Sequence, residues 1–176
     1  MSVPPWTWSL SYNSFGSNAL ICIGGNSTGQ YILVGGSANG LAAILISADY
    51  GVSWSAPTAI GVDNDKVVGV ACSANGGIMY AITNDFNGGL YRSTDYGVSW
   101  ISVNTSISSN RYLSAICCDE NGKHVVLTTN SAQGGLGNTY YCLDPTTSTT
   151  PSWTVGNYTG QNWTSVAVTS DASLYF

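Results

Sequence analysis

Any catalytic site in this chain would have to be built from one histidine, five cysteines, nine acids and four basic side chains. A Ser–His–Asp or Cys–His relay requires His124, the sole imidazole. It follows the turn signal Glu120-Asn121-Gly122 and opens an apolar run, a position that suits a surface or edge side chain better than a general base. Two carboxylates flanking a cleft would serve glycoside hydrolysis. Asp63, Asp65 and Asp85 are the loop candidates, but Asp63 and Asp65 share the short turn-like stretch Val62-Asp63-Asn64-Asp65-Lys66. Adjacent Cys117 and Cys118 with a single His give no metal spacing, because strand neighbours point to opposite faces. Neither a metal nor a cofactor is expected. The odd cysteine count (Cys22, Cys72, Cys117, Cys118, Cys142) argues against a complete disulfide framework and for free thiols packed as small apolar residues.

The acids in the strongest pattern, Asp49 and Asp95, point to architecture. Ser47-Ala48-Asp49-Tyr50-Gly51-Val52-Ser53-Trp54 returns as Ser93-Thr94-Asp95-Tyr96-Gly97-Val98-Ser99-Trp100, with only the second position changed. The offset of 46 residues falls in the range of repeat architectures. Within each copy, the Asp carboxylate can accept backbone N–H bonds and Gly can take a positive φ, so Asp-Tyr-Gly is turn chemistry. Apolar strand-like residues precede it and a Trp with further strand-like residues follows. The phrase predicts a hairpin with a buried Trp just past its turn.

Ser-x-Asp-x-Gly-x-x-Trp resembles the Asp-box, or BNR, repeat of sialidase-like β-propellers, and with degenerate copies the resemblance covers nearly the whole chain. It implies an all-β fold of four-stranded antiparallel blades, with each box as the turn between third and fourth strands at the periphery. Ser47, Asp49, Gly51, Trp54, Ser93, Asp95, Gly97 and Trp100 are then structural. The family includes sialidases, other glycosidases, sorting receptors, photosystem assembly factors and proteins without known activity, so the likeness implies fold more than activity.

The blades are expected at about residues 12–56, 57–103 and 104–155, with a partial one at 156–176, in a single domain over 1–176. In the first blade, strands over Ala19–Ile23 and Tyr31–Val34 precede a Gly-rich loop, Gly35–Gly40. A long loop, Asn130–Gly137, is expected in the third. The third box has decayed: Asp144 occupies the Asp position, but Pro145 to Pro151 replace the tight turn before Trp153. Trp6-Thr7-Trp8-Ser9-Leu10-Ser11 reads as an isolated fourth strand. The total is about three and a half blades, whereas closed propellers need at least four. Three arrangements fit: part of a longer propeller, a half-ring completed by a protein partner or by self-association, or a small four-bladed ring.

Composition narrows the partners. Charged residues make up only 7% of the chain, against roughly 25% in ordinary domains. That, with a surface rich in Gly, Ser, Thr and Asn, suits an extracellular, cell-surface or virion setting. Four basic residues and a net charge of −5 provide no stripe for phosphates, so nucleic-acid binding is not expected. No apolar run reaches membrane-span length, and Met1–Trp6 shows no signal peptide.

Ligand binding is expected at the loops opposite the boxes, where Asn84, Asp85, Asn87, Asn130, Gln133, Arg111, Tyr158 and Gln161 offer amides and aromatics suited to sugar hydroxyls. The sialidase members use an arginine cluster, a Tyr–Glu nucleophile pair and an acid. Only Arg92 and Arg111 are present here, and the one glutamate, Glu120, lies in a turn at the box end. The sequence thus predicts a non-catalytic binding or assembly module. The alternative is part of a sialidase-like, carbohydrate-active protein whose catalytic residues lie outside this chain.

Overall fold

The computed structural model of the chain describes residues 19–55, 58–63, 65–84, 89–103, 105, 107, 111–131, 137–170 and 174–175. Among them every regular element is a strand. The first antiparallel sheet contains β1 (Leu20–Gly25), β2 (Ile32–Ala38), β3 (Leu41–Ser47) and β4 (Thr58–Asp63). The second contains β5 (Val67–Cys72), β6 (Met79–Thr83), β7 (Leu90–Ser93) and β8 (Ile101–Val103). The third contains β9 (Arg111–Cys118), β10 (His124–Ser131), β11 (Gly137–Leu143) and β12 (Thr154–Gln161). The last pair, β13 (Ala167–Val168) and β14 (Leu174–Tyr175), forms a two-stranded sheet. In every sheet spatial order equals chain order, so each blade is a meander of hairpins.

The blades stack face to face. Their first strands lie side by side, β1 against β5, β5 against β9 and β13 against β9. Alternation along each strand sends apolar side chains to both faces of the sheet. One core, between the first two blades, contains Leu33, Ile44, Val67 and Met79, with Trp100 packed on it. The other, between the second and third, contains Tyr80, Leu90, Leu113 and Leu127, with Trp153 packed on it.

Three expectations need correction. Gly35–Gly40 is not a loop: β2 runs through Ala38, with Gly35 opposite Ile44 and Gly36 opposite Ala43, and only Asn39-Gly40 makes the turn. The glycines serve close approach, since a Cβ on Gly35 would overlap Val67 of the next blade and Cys22. Likewise Arg111, Asn130, Tyr158 and Gln161 lie within strands rather than loops, because β9, β10 and β12 are longer than their apolar runs. The first blade's fourth strand also begins later than Trp54. Ser55 N–H donates to Ile46 O at 2.8 Å, and regular pairing resumes only where Thr58 meets Ile44.

Neighbouring blades are fastened at the turns between their first and second strands. Ser27 N–H donates to Ala74 O at 3.2 Å, and Ala74 N–H to Glu120 O at 2.7 Å. The buried Tyr80 hydroxyl donates to Gly122 O at 2.7 Å, joining second and third blades. The Trp6–Ser11 segment lies outside the described residues.

Candidate functional site

The two intact boxes carry the same set of bonds. Ser47 Oγ accepts from the N–H of Asp49 (3.3 Å) and Gly51 (2.8 Å) while its proton goes to Asp49 Oδ1 (2.9 Å). The Asp49 carboxylate then accepts from Ser53 N–H (2.8 Å) and Ser53 Oγ (2.5 Å), and Trp54 Nε1 donates to Gly51 O (3.2 Å). Ser93, Asp95, Gly97, Ser99 and Trp100 repeat this pattern. Tyr50 and Tyr96 have φ of 62° and 60°, Gly51 and Gly97 both 83°, so the chain passes through two left-handed residues in succession. Donation from Ser99, first its hydroxyl and then its N–H, holds the Asp95 carboxyl down to about 2; Asp49 is lowered by Ser53 in the same way.

The third turn is a different structure. Cys142 pairs with Val125 as Ser47 pairs with Ile32 and Ser93 with Met79, so a thiol stands at the box serine position. Asp144 has φ of 53° and its N–H donates to Lys123 O, as Tyr50 N–H does to Gln30 O and Tyr96 N–H to Gly77 O. Counted from Cys142, Asp144 stands at the expected Asp position, but its positive φ and its N–H bond are those of the box tyrosines, so the turn reaches its left-handed residue one position early. Its carboxylate accepts from Thr146 instead, which lowers its pKa, and lies 3.6 Å from Lys123 Nζ.

By that N–H bond Pro145, which follows Asp144, takes the place of Gly97, which follows Tyr96, and this decides the role of Arg92. Ile46, the last apolar residue before the first box, packs over Gly97 of the second blade. Arg92, its equivalent, reaches over Pro145 of the third: Nη1 donates to the carbonyls of Pro145 and of Ser148 (3.0 Å). The arginine is 5% exposed, and its charge is solvated by loop carbonyls.

His124, the only imidazole, is held by Asp119. The carboxylate accepts from Lys123 N–H (2.7 Å), His124 N–H (3.0 Å) and His124 Nδ1 (2.9 Å). Burial pushes the Asp119 pKa up, but these donors outweigh it and the net shift is downward. The cysteines are free thiols among the described residues. Burial pushes Cys22 up to about 11 and Cys72 and Cys117 up to about 12, out of the range of a reactive thiolate.

The proposed ligand residues are partly gathered. Arg111 begins β9 opposite Ser131, Asn130 pairs with Tyr112, and Gln161 pairs with Gly137, so all three lie at one end of the third sheet. Tyr158 is further along β12. Asn84 is at the same end of the second blade, but its Oδ1 accepts from Lys66 N–H at 2.8 Å, a loop-closing task. Asp85, Asn87 and Gln133 lie outside the described residues. Sequence reasoning passed over Asp119 and a groove of about 550 Å³ at the third turn, lined by Tyr141, Leu143, Asp144, Ser148, Pro151 and Thr154 among others. The signal for the groove lay in the register of Tyr141 with Ile46, which only the strand pairing reveals.

No family model matches the chain, and no curated protein matches it in sequence. Solved structures do. The chain is similar to YCF48 bound to D1 peptide, with a TM-score of 0.61 and 16% identity over 79% of this chain and 40% of that one. It is similar to the GH74 xyloglucanase from Xanthomonas campestris (0.55, 17% identity, 76% and 20% coverage). It is also similar to the NanB sialidase from Streptococcus pneumoniae (0.52, 14% identity, 88% and 26% coverage). The chain thus spans two fifths or less of the length of each. At these identities the likeness concerns the fold, and the fold is that of a β-propeller.

Proposed function

We propose that this chain is a non-catalytic assembly module of Asp-box type, joining a second copy of itself or another protein through an exposed blade face. The observation that carries the proposal is the outer face of β1. Ile23 is 72% exposed and Ile21 44%. Ile21 and Ile23 alternate with Cys22 and Gly24, which meet Val67 and Val70 of the second blade. They therefore point away from it. Contiguous exposed apolar side chains of this kind mark interaction surfaces. The non-catalytic part rests on how the ionisable groups are used. Asp49, Asp95, Asp119 and Asp144 hold turns, Arg92 is enclosed by carbonyls and His124 is bound to Asp119. The low charge content supports an extracellular or virion setting for such an assembly.

Light scattering over a range of concentrations tests the proposal. A discrete oligomer that Ile23→Asp dissociates is expected. A monomer at all concentrations, unchanged by that substitution, removes self-association and leaves only a different protein as partner.

A further inference from the structure

The box ends of the first and second blades leave a groove between them. Both blades have all four strands. They meet where Ile46 lies on Gly97, so closely that a Cβ on Gly97 would overlap Ile46 Cδ1. That contact bounds an open space of about 480 Å³, lined by Trp54, Ser53, Ser55 and Thr58 from one blade and by Tyr96 and Val98 from the other. Val98 is 83% exposed although a blade packs on each side of its own. At the next junction the same place is crossed by Arg92, which bonds the carbonyls of Pro145 and Ser148, and Ile101 stands opposite it where the first blade has Ser55.

The lining is of two kinds, and its apolar part is preset. Trp54 Nε1 is committed to Gly51 O at 3.2 Å, so the indole offers the groove its carbon atoms. Tyr96 is held on Tyr31, with ring centroids 5.2 Å apart. Hydroxyls supply the polar part. Ser55 Oγ accepts from Ile46 N–H at 3.1 Å and keeps its proton to give, whereas Ser53 Oγ gives its proton to Asp49 at 2.5 Å and keeps a lone pair to accept. The exposed Thr58 hydroxyl can do either. No charged side chain is among the described residues that line the space, and the Asp49 carboxylate stands behind Ser53.

We infer that this groove binds a neutral pyranose residue of a glycan, its C–H face against the apolar lining of Trp54 and Val98 and its hydroxyls on Ser53, Ser55 and Thr58. Concave sites that combine preset apolar walls with a few polar groups hold small ligands in one orientation. A wholly apolar ligand would strip water from the Ser55 and Thr58 hydroxyls and return no hydrogen bond. An acidic sugar would bring a carboxylate to a space with no cation and with Asp49 behind its wall. A neutral sugar meets both kinds of lining, since each ring carries apolar C–H faces edged by hydroxyls. The site is at the opposite end of the blades from Asn130, Arg111 and Gln161, and it is independent of the β1 face.

The test is saturation-transfer NMR on the full chain with the methyl α-glycosides of mannose, glucose, galactose, fucose and N-acetylglucosamine, and with that of N-acetylneuraminic acid. Saturable transfer to the ring protons of at least one neutral glycoside is expected, with weaker transfer to the acidic one. Val98→Asp should weaken binding about tenfold or more, because it sets a charge against an uncharged ligand. Thr58→Val, which keeps the shape and removes the hydroxyl, should weaken it about threefold or more. Val52→Asp places the same charge at the matching position of the first box, outside the groove, and should leave binding unchanged. Absence of transfer to every neutral glycoside overturns the inference, as does preference for the acidic one. Binding indifferent to Val98→Asp and Thr58→Val, or lost equally in Val52→Asp, overturns it as well. Dissociation of an oligomer by Val98→Asp without sugar binding overturns it and gives the groove to a protein chain, whereas dissociation by Ile23→Asp bears on the assembly reading alone.

Discussion

A single hydroxyl organises each intact box: Ser47 or Ser93 accepts two backbone N–H bonds and hands its own proton to the aspartate. In the third copy this position is Cys142, and a thiol is a weak acceptor. The two left-handed residues of the tight turn then lose their anchor, which agrees with the longer loop found there. The aspartates give the boxes a pH signature. Asp95 titrates at about 2 in the folded chain and near ~3.9 when unfolded. Its contribution is therefore full above about pH 4 and is lost as the pH falls towards 2. Asp49, Asp119 and Asp144 shift in the same direction. Melting temperature should fall over that interval, and less steeply in Asp95→Asn; parallel profiles would contradict the assignment. Asp119→Ala strands two backbone donors, of Lys123 and His124, and should cost about 1–3 kcal/mol in urea unfolding. The box residues were legible because turn chemistry is local. Asp119 and Arg92 were not, since one works through a turn with no repeated phrase and the other through a neighbouring blade.

At the scale of elements, glycine separates local strain from packing. Gly40 and Gly97 have φ of 82° and 83°, but a Cβ on Gly40 meets nothing within 4 Å, whereas on Gly97 it meets Ile46 and Met79. Gly40→Ala should cost about 1–2 kcal/mol from backbone strain alone. Gly97→Ala should cost about 1–3 kcal/mol more, from overpacking between blades. Equal losses in thermal or urea unfolding would mean that the Ile46 contact is unimportant. Tyr80→Phe removes the hydroxyl that ties the second blade to Gly122 and should cost about 0.5–1.5 kcal/mol. Hairpin order was legible from alternating apolar runs separated by Gly and Asn. The extents of β2, β10 and β12 were not, because Gly35-Gly36, Asn130 and Tyr158 read as loop residues. Their strand state is imposed by long-range pairing, and Gly35 is small because Val67 crosses close above it.

For the whole molecule, stability in a stacked repeat array comes from the interfaces as much as from each unit. The second blade is packed on both faces, whereas the first exposes Ile21 and Ile23 on its outer side. Hydrogen exchange should therefore be slowest in β6, whose every side chain is buried, and faster in β1. A uniform pattern would mean that the blades open as one unit. The bonds linking Ser27, Ala74 and Glu120 have a consequence for descent as well. One donor and one acceptor at each step are main-chain atoms, and the side chains at the three positions are a hydroxyl, a methyl and a carboxylate, so drift in sequence leaves that part of the link in place, although the Ser27 hydroxyl adds a second bond to Ala74 O at 3.0 Å. A gene segment duplicated in frame would bring its own half of the link with it. A blade added or removed in this way would need no new side-chain contact between Ala74 and Glu120.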